Sequence, residues 1–260
     1  MKEGEKAAIS MNHLHFPPIW RETRTPRELA GLLRSDLYRK PDADLGARRP
    51  VLLIPGFLAG DGSLQLMTGW LRRCGFHARR TGIRMNVNCS ARALEALEQR
   101  LEAIVTTSGR PVALVGQSRG GTLARALAVR RPELIDTVVA LGAPQLEPLA
   151  VHPLVLLQVG WVGALGTLGV PGLFSRACWD GECCQEFRES FQEPFPQGVR
   201  YVAVYSRSDG IVDWRACLDP AAEHVEIEAS HMGMAVSVEA YRAVAAALAE
   251  PEPVELPLAA

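Results

Sequence analysis

Six short runs rich in apolar and β-branched residues recur along the chain, separated by stretches in which apolar residues return every three or four positions. The runs are Val51 to Ile54, Phe76 to Arg80, Val112 to Val115, Ile135 to Leu141, Val199 to Tyr205 and His224 to Ile227. Their length and lack of strict alternation predict strands, Phe76 to Arg80 a short one and the others buried on both faces. Between them, Leu64 to Arg73 reads as a helix stopped by Gly75. Ser90 can cap a second helix whose Leu94, Leu97, Leu101 and Ile104 share one face and which ends at Gly109. A third runs from Arg119 to Arg131 and is closed by Pro132, and a fourth spans Ser237 to Glu250. Strands alternating with helices predict a three-layer α/β domain, a mostly parallel sheet of about six strands covered on both faces. No internal repeat interrupts this order.

Two regions break the alternation. Residues 1–48 are polar and arginine-rich, with one helix expected from Pro26 to about Tyr38 behind Thr25 as its cap. They read as an extension packed on a domain that occupies 49–260, not as a catalytic unit. Within that domain, 146–197 is an insertion, and from Pro148 to Phe174 it contains no Asp, Glu, Lys or Arg. That length would admit a membrane span, but the glycines, three prolines (Pro148, Pro153, Pro171) and the position between two core strands favour a lid packed over a site. The formal net charge of -1 gives no reason to expect nucleic acid as a partner. The opening MKEGEKAAISMNHLHFPPIW lacks the apolar core of a secretion signal, so the expected location is cytoplasmic, with membrane association through the insertion a compatible property.

The chemistry concentrates at Gly116-Gln117-Ser118-Arg119-Gly120, where the third strand meets a helix. A serine on such a sharp turn is lifted out of the sheet, and the flanking glycines let the two backbones approach closely. A serine hydroxyl needs an aligned base, normally histidine, oriented by a carboxylate. In an open parallel sheet both should lie past the carboxyl ends of strands. His231, after the last strand, meets that condition, whereas His224 begins that strand, His152 is in the insertion, His77 is in an early strand, and His13 and His15 are in the extension. Asp209, after Val199 to Tyr205, is the carboxylate expected to orient it. Asp213 is the runner-up, with a capping role as its plainer explanation, and Asp136 sits at the far edge. An oxyanion needs two N–H donors: that of Arg119, directly after the serine, and one from Pro55-Gly56-Phe57-Leu58, with Phe57 the expected donor.

PGF after an apolar strand, GQSRGG, SRSDGIV and SHMGM, in this order over roughly residues 49 to 250, resemble the α/β-hydrolase superfamily, especially its small lipase- and esterase-like members. The resemblance implies Ser118 as nucleophile, Asp209 as acid, His231 as base, Phe57 and Arg119 as oxyanion hole, and no cofactor. Leu58, Gln117, Trp161 and Phe174 are the expected substrate-binding residues, with an apolar or lipid-like ester as substrate. Many lipases carry a histidine before the oxyanion glycine where this chain has Pro55, and the polar extension does not read as the antiparallel hairpin with which such proteins usually open. Acyl transfer, thioester cleavage or a non-catalytic binding role would use the same fold.

The segment CWDGECC invites a metal reading for Cys178, Cys183 and Cys184, but paired C-x-x-C units and a fourth ligand at recognisable spacing are absent. No metal is therefore expected. A local disulfide, one to Cys89 or Cys217, or reduced buried thiols are the alternatives.

Overall fold

The computed structural model describes residues 17–191 and 193–249. Six strands lie in the order β2-β1-β3-β4-β5-β6: β1 (Pro50–Ile54), β2 (His77–Arg80), β3 (Val112–Gln117), β4 (Ile135–Leu141), β5 (Arg200–Tyr205) and β6 (Glu223–Glu226). All five pairings are parallel, so every strand ends at the same edge. Side chains on successive strand residues face opposite sides, and this divides the core in two. Val51, Leu53, Ala113 and Val115 join Trp70, Leu71 and Tyr241 on one face. Leu52, Ile54, Val112 and Leu114 join Leu94, Leu97, Leu101 and Leu127 on the other.

The helices between strands follow the apolar spacing: α3 (Gln65–Arg73), α4 (Ser90–Ser108), α5 (Arg119–Arg130) and α9 (Val238–Leu248). Gly75 and Gly109 end α3 and α4 with positive φ, and the Ser237 side chain caps α9 by accepting from Ala240 N–H. Ser90 lies inside α4 and Cys89 takes the cap position, a one-residue shift from the expectation.

The extension differs more. A 3₁₀ turn, Ile19–Arg24, leads into α1 (Thr25–Arg34), and Ser35 adopts an extended backbone before α2 (Asp36–Arg39). The expected single helix is thus split at Ser35, whose Oγ accepts from Tyr38 N–H as the cap of the second piece. Thr25 is the first residue of α1 and not its cap; its hydroxyl donates to the Glu22 carbonyl. His13 and His15 lie outside the described residues.

The insertion carries α6 (Pro153–Thr167), α7 (Ala177–Asp180) and α8 (Gln185–Glu189). Only Gly163 of α6 is buried. Leu154, Leu157, Trp161, Leu165 and Leu168, spaced as one helical face, are all exposed, Trp161 by 64% and Leu168 by 82%. Among the described residues, no helix is long and apolar enough to cross a membrane.

Candidate active site

The turn from β3 to α5 holds Ser118 at φ +52° and ψ −125°, a region that a residue with a side chain occupies only under constraint. The constraint is the packing of glycines. A Cβ on Gly116 would strike the Gly120 backbone, one on Gly120 would strike Ile54 and Pro55, and one on Gly121 would meet Ala143. Ser118 N–H donates to Leu141 O (2.8 Å), and Ser118 O accepts from Gly121 N–H (2.8 Å). The turn is therefore tied to the neighbouring strand β4 and to the first turn of α5, with a hydroxyl at its apex.

Asp209 and His231 come from the two loops that follow β5 and β6, and both are almost fully buried. Asp209 Oδ2 lies 2.7 Å from His231 Nδ1, while Oδ1 accepts from Ile211 N–H (2.8 Å) and Val212 N–H (2.7 Å). The carboxylate is thus held from three directions, and it occupies one ring nitrogen of the histidine. Burial works to lower the His231 pKa. The charge and hydrogen bond of Asp209, helped by the charge of Glu22, outweigh burial and raise it. Gly142, at φ +53°, lies against both groups; a Cβ there would sit 3.2 Å from Asp209 Oδ2 and from His231 Nδ1. Gln117 Nε2 donates to His231 O (3.0 Å), linking the residue before Ser118 to the histidine loop. Gln117 is buried in that role.

The extension also does more than pack. Glu22 Oε1 accepts from Gly210 N–H (2.9 Å) and His231 N–H (2.9 Å), and its Oε2 accepts from Met232 N–H (2.8 Å). Glu28 accepts from both the N–H and the hydroxyl of Ser230. Two carboxylates, Glu22 and Glu28, thus hold the loops that carry Asp209 and His231. Nothing local in IWRETRTPRE signals this, because the partners lie some two hundred residues away.

The competing candidates have other work. Asp213 accepts from Arg215 N–H and caps the short turn Trp214–Cys217. Asp136 pairs with Arg49 (2.6 Å) at the start of β4, and His224 Nε2 lies 2.8 Å from Asp219 O. His152 Nδ1 accepts from Leu154 N–H at the start of α6.

On the other side of Ser118, Gly56 abuts the serine, since a Cβ there would lie 3.2 Å from Ser118 Cβ. Phe57 follows, bridged to Asn86, and Leu58 takes φ +59° in an exposed position. Arg119 contributes the first backbone N–H of α5. Its guanidinium points away from the turn, donating to Asn86 O (3.2 Å), Asn88 O (2.7 Å) and Ser90 Oγ (3.2 Å). Phe174, buried, packs on Phe57 (centroids 6.2 Å apart) and on the Arg119 guanidinium. Of the two aromatic residues expected from the insertion, Phe174 packs against Phe57 and Trp161 is exposed.

The cysteines regroup in a way that sequence spacing did not disclose. Cys89, immediately before α4, meets Cys178, Cys183 and Cys184, and the four sulfur atoms lie within 4.8 Å of one another. The fourth thiol, absent from the local spacing, comes from across the fold. Cys217 is buried elsewhere, and all six cysteines are free thiols.

No protein-family model matches the sequence. Among solved structures, the chain is similar to the mature form of Bacillus licheniformis lipase BlEst2, at 16% identity and a TM-score of 0.58, over 78% of this chain and 93% of that one. It is also similar to a Paleococcus ferrophilus monoacylglycerol lipase (15% identity, TM-score 0.54, 77% and 95% covered). A thioesterase domain from the curacin biosynthetic pathway follows (15% identity, TM-score 0.50, 78% and 91% covered). At these identities the likeness is one of architecture, and the architecture is the α/β-hydrolase fold.

Proposed function

We propose that this α/β-hydrolase-fold chain is a serine hydrolase that cleaves carboxylic esters with an apolar or lipid-like acyl group. The observation that carries the reading is the hydrogen-bonded Asp209–His231 pair, buried at the sheet edge where Ser118 stands on its strained turn. In this reading His231 takes the Ser118 proton as the hydroxyl attacks the ester carbonyl. The carbonyl carbon becomes tetrahedral, and its oxyanion is met by the N–H groups of Phe57 and Arg119. Asp209 stabilises the imidazolium, which then gives its proton to the departing alcohol and leaves an acyl-enzyme. Water, activated by the same histidine, releases the acid and restores Ser118.

The apolar preference rests on Phe57 and Leu58, which follow Gly56 beside the serine, on Phe174 packed against Phe57, and on the exposed apolar face of α6, which suits contact with a lipid surface. A thioester would be attacked by the same groups, and the likeness to a thioesterase domain supports testing both substrate classes.

Labelling by a fluorophosphonate probe tests the nucleophile. The wild-type chain is expected to label and a Ser118→Ala variant to lose the label; unaltered labelling of that variant overturns the assignment. Parallel assays with oxygen esters and thioesters of graded acyl length then identify the class.

A further inference from the structure

We propose that Cys89, Cys178, Cys183 and Cys184 form a tetrathiolate site that binds one zinc ion and fastens the insertion to the start of α4. Cys89 Sγ and Cys184 Sγ are 3.3 Å apart, Cys183 Sγ and Cys184 Sγ 3.9 Å, and all four sulfurs fall within 4.8 Å. Zinc bound tetrahedrally at about 2.3 Å from each sulfur places the sulfurs about 3.8 Å apart, so the cluster is within small side-chain adjustments of that geometry. An all-sulfur, four-coordinate set selects zinc over magnesium or calcium, which take oxygen ligands.

The surroundings suit the charge. Binding releases the four thiol protons and leaves a dication among four thiolates, a net charge of about −2. Cys89 stands at the N-terminal end of α4, a helix of 19 residues with no acidic residue in its first turn, where the helix dipole is positive. The Arg119 guanidinium donates to Asn88 O and Ser90 Oγ, the residues on either side of Cys89. Arg188 donates to Cys178 O and Gly181 O.

The segment also needs such a tie. Helices α7 and α8, of 4 and 5 residues, are too short to be stable alone. Among the described side chains from Ser175 to Glu189, only Cys184 is buried. A metal joining three sulfurs of this segment to a fourth on α4 would stand in for the apolar core it lacks. Phe174, next in the chain, would thereby be held against Phe57.

The full chain, expressed with zinc and purified under reducing conditions, is expected to carry about one zinc by elemental mass spectrometry. Cys183 is exposed, so Cys183→Ser should fold normally and bind zinc at least about tenfold more weakly in a chelator competition, since loss of even an outer-sphere partner costs that much. Cys89→Ser should do the same, and Cys74→Ala, outside the cluster, should retain the metal. Cobalt in place of zinc should give the thiolate charge-transfer and tetrahedral ligand-field bands. Wild-type protein without stoichiometric zinc, whether its four cysteines are free thiols or two disulfides, overturns the proposal, as do stoichiometric iron or unchanged zinc affinity in Cys183→Ser. These readouts do not involve Ser118, so they stand or fall apart from the esterase reading.

Discussion

Around Asp209 and His231 the backbone is held by acidic side chains, whereas beyond Phe57 the neighbouring wall is held by aromatic rings. Glu22 and Glu28 accept five hydrogen bonds from the two polar loops, and one of these donors is the backbone N–H of the histidine itself. Phe174 meets Phe57 through ring contacts, and the segment behind it has almost no buried apolar side chains of its own. The contrast follows from the tasks proposed for each side. A base must keep its alignment to a fraction of an ångström, which directional hydrogen bonds enforce. A surface receiving an acyl chain needs shape and dryness, which rings supply without fixed direction.

Breaking the polar side at its centre should have the largest effect. Asp209→Asn is expected to lower kcat/KM by about 10⁴-fold with little change in fold, measured with a soluble ester and circular dichroism. Gly142→Ala attacks the same side through the backbone. A Cβ at φ +53° against Asp209, His231 and Met234 should cost about 2 kcal/mol or more in denaturant unfolding, because strain and crowding add.

A milder change separates charge from position. Glu22→Gln keeps the length of the side chain but removes a negative charge that raises the His231 pKa. The base must be neutral to accept the serine proton, so activity rises as pH passes that pKa, and the acidic limb of the kcat/KM profile should move to lower pH in the variant. An unmoved limb would show that Glu22 acts through geometry alone. The linked stability effect has the opposite sense in pH. A histidine whose folded pKa is raised contributes fully below its unfolded pKa, and the contribution fades as pH climbs through the folded value. The smallest effect belongs to the apolar side. Leu157→Ser with Trp161→Ser should leave hydrolysis of a short soluble ester within about twofold and weaken binding to phospholipid vesicles by about tenfold, read by flotation.

Much of the fold was legible because local patterns carry it. The β4 boundaries coincide with the apolar run Ile135 to Leu141, and Gly75 and Gly109 stop helices where glycine's freedom allows a left-handed turn. The elbow and the two loops after β5 and β6 were also readable, since chain order and strand ends suffice to place Ser118, Asp209 and His231 on one edge. What escaped was information held between distant segments. Glu22, Glu28 and Cys89 have ordinary local settings and acquire their roles only through partners brought in by the fold. The exposure of Trp161 was not legible for a related reason: α6 is apolar nearly all round, so its periodicity does not tell which positions stay open.

The reach of Glu22 has a kinetic meaning. Its partners at Gly210, His231 and Met232 are 188, 209 and 210 residues away in the chain. Contacts of such separation carry a large loop-closure cost and form late. On a ribosome the first turns are made early and must wait for nearly the whole sheet before they can dock. A chain still folding would thus hold an unaligned histidine, and the proposed activity would mark the end of maturation.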